Sequence, residues 1–331
     1  MLLTKTRIMS VFLFHFLLFA GGIPAQQIGS QDFKHSISNP AYVGGKGPVV
    51  FIDEAHHNFH TIGDTTVYDD EHNKRVAEGR YRPFAELLKQ DGYKLKQSSS
   101  NFTKESLDAA DVLVISNALA ETNISDWSLP NPSAFEDYEI DAVRDWVFAG
   151  GALLLIADHM PFPGAAADLA ASFGLLFCNG YATKTGDQSD WFTLSRADNT
   201  LVEHAITSGR NPTEKVESIM TFTGQAFRLQ PGISGDPLMI LDSGTVLFFP
   251  TDPFEERTNK VPRISAHGML QGVTLRFGEG RIAVFGEAAM FTAQTYGEEG
   301  SPIGMNHPGA EENAQFVLNV LHWLTGLLDD E

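Results

Sequence analysis

The stretch Gly150–Pro163, GGALLLIADHMPFP, constrains this chain more than any other. After a double glycine, Ala152–Ile156 form the unbroken apolar run of a strand buried on both faces, as in a parallel sheet. The run leads into Asp158 and His159, two side chains able to move protons or bind a metal, and then into a Pro/Gly-punctuated loop. The small, apolar segment Ala165–Phe173 beyond it reads as a helix packed on the sheet. Open α/β sheets hold ligands outside the carboxyl ends of their strands. This strand therefore aims an Asp-His pair at the edge where such folds do their work.

The segments on either side fit the same architecture. Val49–Ile52, in PVVFIDEAHHNFH, reads as a first strand, and beyond it lies a dense cluster of ligand-type side chains: Asp53, Glu54, His56, His57, Asn58 and His60. Gly79–Gly92 has Phe84, Leu87 and Leu88 on one helical face, Tyr93–Lys96 begins a second strand, and Val112–Ser116 is a third. Ser133–Gly151 is expected to be a helix, with Ser133 as cap, Glu136 completing a capping box, and Ile140, Val143, Trp146 and Val147 as the apolar stripe. This alternation predicts an α/β fold, a flavodoxin-like, doubly wound, mainly parallel sheet. Residues 183–267 are less regular and interrupted by proline, which predicts a β-rich insertion. Within it, Met239–Leu241 and Thr245–Phe249 flank Asp242-Ser243-Gly244 in the manner of a hairpin. The core resumes with Gly272–Phe277 and Arg281–Phe285 and closes with a helix over Glu311–Leu328.

The N-terminus has a different character. Lys5 and Arg7 precede the apolar run Ile8–Ala20, and Gly21–Ala25 ends in a small residue, with Ile23 two positions before it. That is the layout of a secretory signal peptide over residues 1–25, followed by a polar leader or linker over 26–47 and a single α/β domain over 48–331. The apolar run is short for a bilayer span, so the expectation is an exported protein, periplasmic or extracellular, with no membrane association once the signal is removed. The chain carries a net charge of −19, which repels nucleic acid and anionic membranes and suits cations or neutral ligands such as sugars. Cys178 is the sole cysteine, which rules out an intramolecular disulfide and a thiolate metal cluster. Nothing in the sequence sets an oligomeric state.

A strand, then a helix ending DWVFAGG, then ALLLIADH resembles the class I glutamine amidotransferase-like superfamily, near the trehalose-utilisation (ThuA-like) group and uncharacterised exported relatives. GRIAVFGEAAMF and the closing FVLNVLHWLTG extend the resemblance, which covers roughly Val49–Tyr181 and Gly272–Leu328. It implies the flavodoxin-like fold. Glutaminases of that superfamily carry a cysteine in a glycine-flanked elbow after the corresponding strand, where this chain has Ala157-Asp158-His159. Without the thiolate there is no covalent glutaminase mechanism, so glutaminase activity is not expected. A Gly-x-Ser-x-Gly elbow is absent too, as are a Walker loop and GxGxxG, so neither a serine hydrolase elbow nor a nucleotide cofactor is expected.

If the topology holds, separate strands deliver imidazoles and carboxylates to one rim, the combination that zinc or a similar divalent ion needs. The expected metal ligands are His56, His60, Asp158 and His159, and the expected catalytic groups are Glu54, His159 and Glu287. In a metal-free version Asp158 orients His159 as general base, with Glu54 or Glu287 as acid. Each residue also has a structural role open to it: Asp158 as a turn or cap residue, Glu287 as cap of the small-residue turn after it, the histidines as parts of a hydrogen-bond network. Trp127, Trp191 and Phe192 can stack on a sugar ring or simply pack, and His307 can line the same rim. Two functions are open: a hydrolase-like or carbohydrate-processing enzyme, metal-assisted or not, or a non-catalytic module binding a sugar or peptide, in either case with a small-molecule or glycan ligand.

Overall fold

The computed structural model describes residues 27–30, 32–63, 65–68, 74–77, 79–185, 191–255, 260–296 and 300–329. The expected signal peptide lies outside the described residues. The apolar runs and amphipathic segments assemble around nine strands: β1 (Val49–Asp53), β2 (Lys94–Ser98), β3 (Val112–Ser116), β4 (Ala152–Ile156), β5 (Leu175–Phe177), β6 (Phe227–Leu229), β7 (Asp236–Ile240), β8 (Leu270–Phe277) and β9 (Gly280–Phe285). Their order is β2-β1-β3-β4-β9-β8-β6-β5, with β7 also paired to β8. The five strands β2, β1, β3, β4 and β9 run parallel. β8 turns back antiparallel on β9 and carries the antiparallel remainder. The fold is α/β, flavodoxin-like, with added strands from the insertion.

Strand alternation decides which side chains meet which helices. Val50, Ile52, Val112, Val114, Leu154, Ile156, Ala283 and Phe285 point to one layer. There they meet Phe84, Leu87 and Leu88 of α1 (Arg82–Gln90) and Phe316, Val317 and Leu321 of the closing helix (Asn313–Leu324). The intervening Leu113, Ile115, Leu153, Leu155, Ile282 and Val284 face the other layer. They pack on Ile140, Val143 and Val147 of the helix Asp137–Phe148 and on Leu169, Ala170 and Phe173 beyond β4. Burial on both faces is what the unbroken apolar runs of β3 and β4 encode.

Three local expectations are corrected. The helix begins at Asp137 rather than after Ser133: its capping box is Glu136 with Glu139, while the Ser133 hydroxyl turns back to Phe135. The hairpin around Asp242 does not form. β7 pairs with β8, whereas Thr245–Phe248 pairs with Tyr181–Lys184 and Arg263–Ser265. The Asp242 carboxylate accepts from the Gly244 amide and the Thr245 hydroxyl, a tight turn that passes the chain from one sheet to another. The polar leader is sewn onto the domain: Gln27–Gly29 pairs with Gln294–Tyr296, the Ala41 amide donates to Asp91, and Arg210 donates to the Asn39 carbonyl.

The hairpin β8–β9 meets the Asp137–Phe148 helix at Gly280, where a Cβ would lie 2.0 Å from the Val147 carbonyl oxygen and 2.4 Å from that of Gly151. Both obstacles are backbone. Gly280→Ala is expected to lower stability by about 2 kcal/mol or more, read as a lower urea midpoint at unchanged m-value.

Candidate functional site

Four parallel strands end side by side, and each runs into a polar segment. β1 leads into the loop from Glu54 to Thr61, β3 into Asn117, β4 into Ala157-Asp158-His159, and β9 into Gly286-Glu287. The pairing runs one residue past the strands: the Asn117 amide donates to the Ile156 carbonyl (3.0 Å) and the Ala157 amide to that of Phe285 (3.0 Å). Asp158 and Glu287 are thereby set on neighbouring strand ends.

Both carboxyl groups are buried, Glu287 completely. Burial holds each above the ordinary carboxyl range, and Asp158 pushes Glu287 up further, because two like charges in one dry site oppose each other's ionisation. Both are also tied to main-chain amides. Glu287 accepts from Ala289 and Met290, at 2.8 Å each, and so caps the single turn Ala289–Phe291; Asp158 accepts from the His159 amide at 2.8 Å. The capping roles open to these residues in the sequence are the roles they occupy.

The two histidines of this rim are held in opposite tautomers. The Asp158 amide donates to Asn117 Oδ1 at 2.9 Å, which orients the Asn117 side chain so that its Nδ2 donates to His60 Nδ1 at 3.0 Å. The proton of a neutral His60 is then on Nε2. Burial, then the nearby Arg80 and His159, push His60 well below its usual pKa and keep it neutral. His159 is the reverse: Nδ1 lies 2.8 Å from the Met160 carbonyl and donates to it, leaving Nε2 as an acceptor. His159 is half-buried, whereas His60, Asp158, Asn117 and Glu287 are buried. That ring stacks on Tyr181 (4.5 Å between centroids, 17°) and is bordered by Phe162 at 5.9 Å and Trp127 at 6.3 Å. Trp127 meets Phe59 and Phe162 edge-on, and its loop is held by Asn123 and Asn131, whose amides bond to main-chain carbonyls of residues 126–130.

The remaining expected site residues lie elsewhere. His56 is clamped between two buried carboxylates, Asp53 at 2.9 Å from Nδ1 and Glu139 at 2.9 Å from Nε2, and between the rings of Phe102 and Phe135. Burial alone would lower its pKa, but the bonds and charges of Asp53 and Glu139 raise it. With both nitrogens engaged, His56 has no lone pair for a metal in this arrangement. Glu54 accepts from the Ile62 and Gly63 amides and from Gln97, closing the loop over the β2 edge rather than facing His159. The four expected metal ligands therefore do not converge, and among the described residues no group of three His, Cys, Asp or Glu side chains is arranged to hold an ion.

Several residues of the rim carry no motif that singles them out in the sequence: Ser116, Asn117, Tyr81 and Tyr181. Tyr81 donates to the Ser116 hydroxyl at 2.7 Å, and Asn117 has φ 52°. The available signal is the polar Ser-Asn pair closing the apolar run VLVIS, at the same strand end as Asp158 one strand over.

No protein-family model matches this chain, and no curated protein matches it. Solved structures do. The mmIFT52 N-terminal domain superposes with a TM-score of 0.54 at 12% identity, covering 83% of this chain and 97% of that one. The cytoplasmic protein STM1381 from Salmonella typhimurium LT2 matches at a TM-score of 0.43 and 16% identity, over 83% and 98%. A thua-like protein from Parabacteroides merdae ATCC 43184 matches at 0.41 and 10%, over 84% and 90%. ThuA-like structures are thus among the neighbours of this fold, and at these identities the likeness concerns the fold alone.

These placements yield two measurements. His56→Ala leaves Asp53 and Glu139 buried without their shared partner and is expected to cost about 3–5 kcal/mol in urea unfolding. For His56, Asp158 and Glu287 proton linkage predicts contributions to stability that fall as pH rises, while the lowered His60 acts in the opposite sense. The raised His56 contributes below about 6.5 and loses that contribution as pH climbs through its folded value; the raised Asp158 and Glu287 likewise bind protons more tightly folded than unfolded. Asp158→Ala removes one raised carboxyl and the charge that raises the other, so the urea midpoint of the variant should rise relative to that of the wild type between pH 5 and 8. Parallel slopes would contradict the coupling.

Proposed function

We propose that this chain is a carbohydrate-binding module on an amidotransferase-like fold of the ThuA-like kind, exported by its N-terminal segment, with the ligand seated against His159 and Trp127. The observation that carries this reading is the aromatic frame around a partly exposed imidazole: Tyr181 beneath it, Phe162 and Trp127 at its side. Sugar rings have apolar faces that pack on aromatic rings and hydroxyls that both donate and accept, and His159 Nε2 supplies an acceptor. The commitments of Glu287, Asp158 and Glu54 to main-chain amides, and of His56 to Asp53 and Glu139, favour binding over turnover, since each supports a turn or loop.

The Asp158–Glu287 pair favours a second reading, a hydrolase-like enzyme in which a carboxyl kept protonated by its neighbour acts as acid and His159 as base. The metal expected from the sequence would need His60 and His159 to present lone pairs together, which requires Asn117 to release His60.

Isothermal titration against a panel of neutral mono- and oligosaccharides tests the first reading. Trp127→Ala and His159→Ala are expected to weaken any saccharide bound by the wild type by about tenfold or more, with the fold retained. Release of reducing sugar or of p-nitrophenol from aryl glycosides, lost in His159→Ala, would favour the enzyme instead. Saccharide binding that neither substitution weakens would remove this rim from the account.

A further inference from the structure

Two strands of the insertion, with His307 from beyond it, form a second cluster beside the strand end that carries Glu287. The strands Trp191–Ser195 and Ser218–Phe222 pair antiparallel, with Trp191 opposite Phe222. Their rings meet edge-on at 5.3 Å, and the imidazole of His307 closes on both, at 5.1 Å from Trp191 and 5.6 Å from Phe222. Trp191, His307 and the adjacent Met220 are partly exposed. The Gly309 amide, which can only donate, points at His307 Nδ1 at 3.0 Å, so a neutral His307 carries its proton on Nε2 and offers a donor.

This cluster is joined to the rim. The main chain at Phe222 hydrogen-bonds the Glu287 carboxyl, and the Gln225 amide donates to the Gly286 carbonyl at 2.7 Å. Between them Thr223 has φ 87°, an outlier for a β-branched residue, and Gly224 has φ 98° with a would-be Cβ 2.2 Å from the Gly286 oxygen and 3.1 Å from Glu287 Cβ. The chain is thus bent tightly against Glu287, which links the Trp191 cluster on one side to Asp158 and His159 on the other.

We propose that Trp191, Phe222 and His307 form a second sugar station on this rim, and that the ligand is a linear oligosaccharide spanning both stations rather than a single sugar. This rests on the carbohydrate reading of the His159 site. The two imidazoles present opposite polarity, an acceptor at His159 and a donor at His307, and each stands beside a tryptophan. A hydroxyl-bearing chain satisfies both, since every hydroxyl donates and accepts. The insertion's role is then to lengthen the site.

The test is isothermal titration of residues 26–331 with β-1,4-linked glucose and mannose oligosaccharides of one to six units. Wild-type affinity should rise with length. Trp191→Ala and His307→Asn should each remove that rise, weakening the longest oligosaccharide by about tenfold while leaving the shortest one bound unchanged. Trp127→Ala should weaken every length. His307→Asn keeps a side-chain acceptor for the Gly309 amide, so a loss of length dependence there does not depend on whether Trp191→Ala folds. Length dependence intact in His307→Asn and in folded Trp191→Ala, with Trp127→Ala still impaired, would overturn the second station and leave the first site standing. A wild type that binds no saccharide of any length would overturn both.

Discussion

The rim depends on one residue, Asn117, and on the use of all four of its polar groups, two in the main chain and two in the side chain. Its amide donates to Ile156, its carbonyl accepts from Phe59, its Oδ1 accepts from Asp158, and its Nδ2 donates to His60. The residue thereby ties the loop after β1 and the end of β4 to the end of β3. Its left-handed backbone, φ 52°, is one that asparagine tolerates better than most residues. Without this bridge the polarity of His60 and the position of the Asp158 main chain would be unset.

Around that bridge, charges are buried in two different ways. The Asp53–His56–Glu139 group neutralises itself in part, sits between two phenylalanines and holds the loop in shape. Asp158 and Glu287 are two like groups placed against each other, an arrangement that costs stability whenever both ionise. Main-chain amides at Ala289, Met290 and His159 offset part of that cost. The first group makes a foundation; the second is a pair whose ionisations oppose each other.

Much of this is legible in the sequence. The apolar runs at Val112–Ser116 and Ala152–Ile156 encode central parallel strands, and their direction sets which edge is the one where open α/β sheets hold ligands. His159, Asp158 and Glu287 stand out because each closes a strand. Composition cannot separate His56 from His60, since what divides them is Glu139, 83 positions from His56 and drawn in by the helix cap at Glu136. The Asp242 turn misleads for a similar reason: its chemistry specifies a tight reversal but not which strands the two arms join. Asn117 carries no motif at all, and its role exists only once three strand ends are adjacent.

The fold is shared with the mmIFT52 N-terminal domain, and a shared fold leaves the chemistry of the rim to be tested directly. The most direct test is the tautomeric state of its histidines, read by long-range proton–nitrogen NMR on uniformly labelled protein at a pH where the rings are neutral, with assignment by single His→Gln variants. The account predicts a proton on Nε2 for His60 and on Nδ1 for His159. His60 protonated on Nδ1, or His159 on Nε2, would contradict the bridge through Asn117 and the acceptor role assigned to His159.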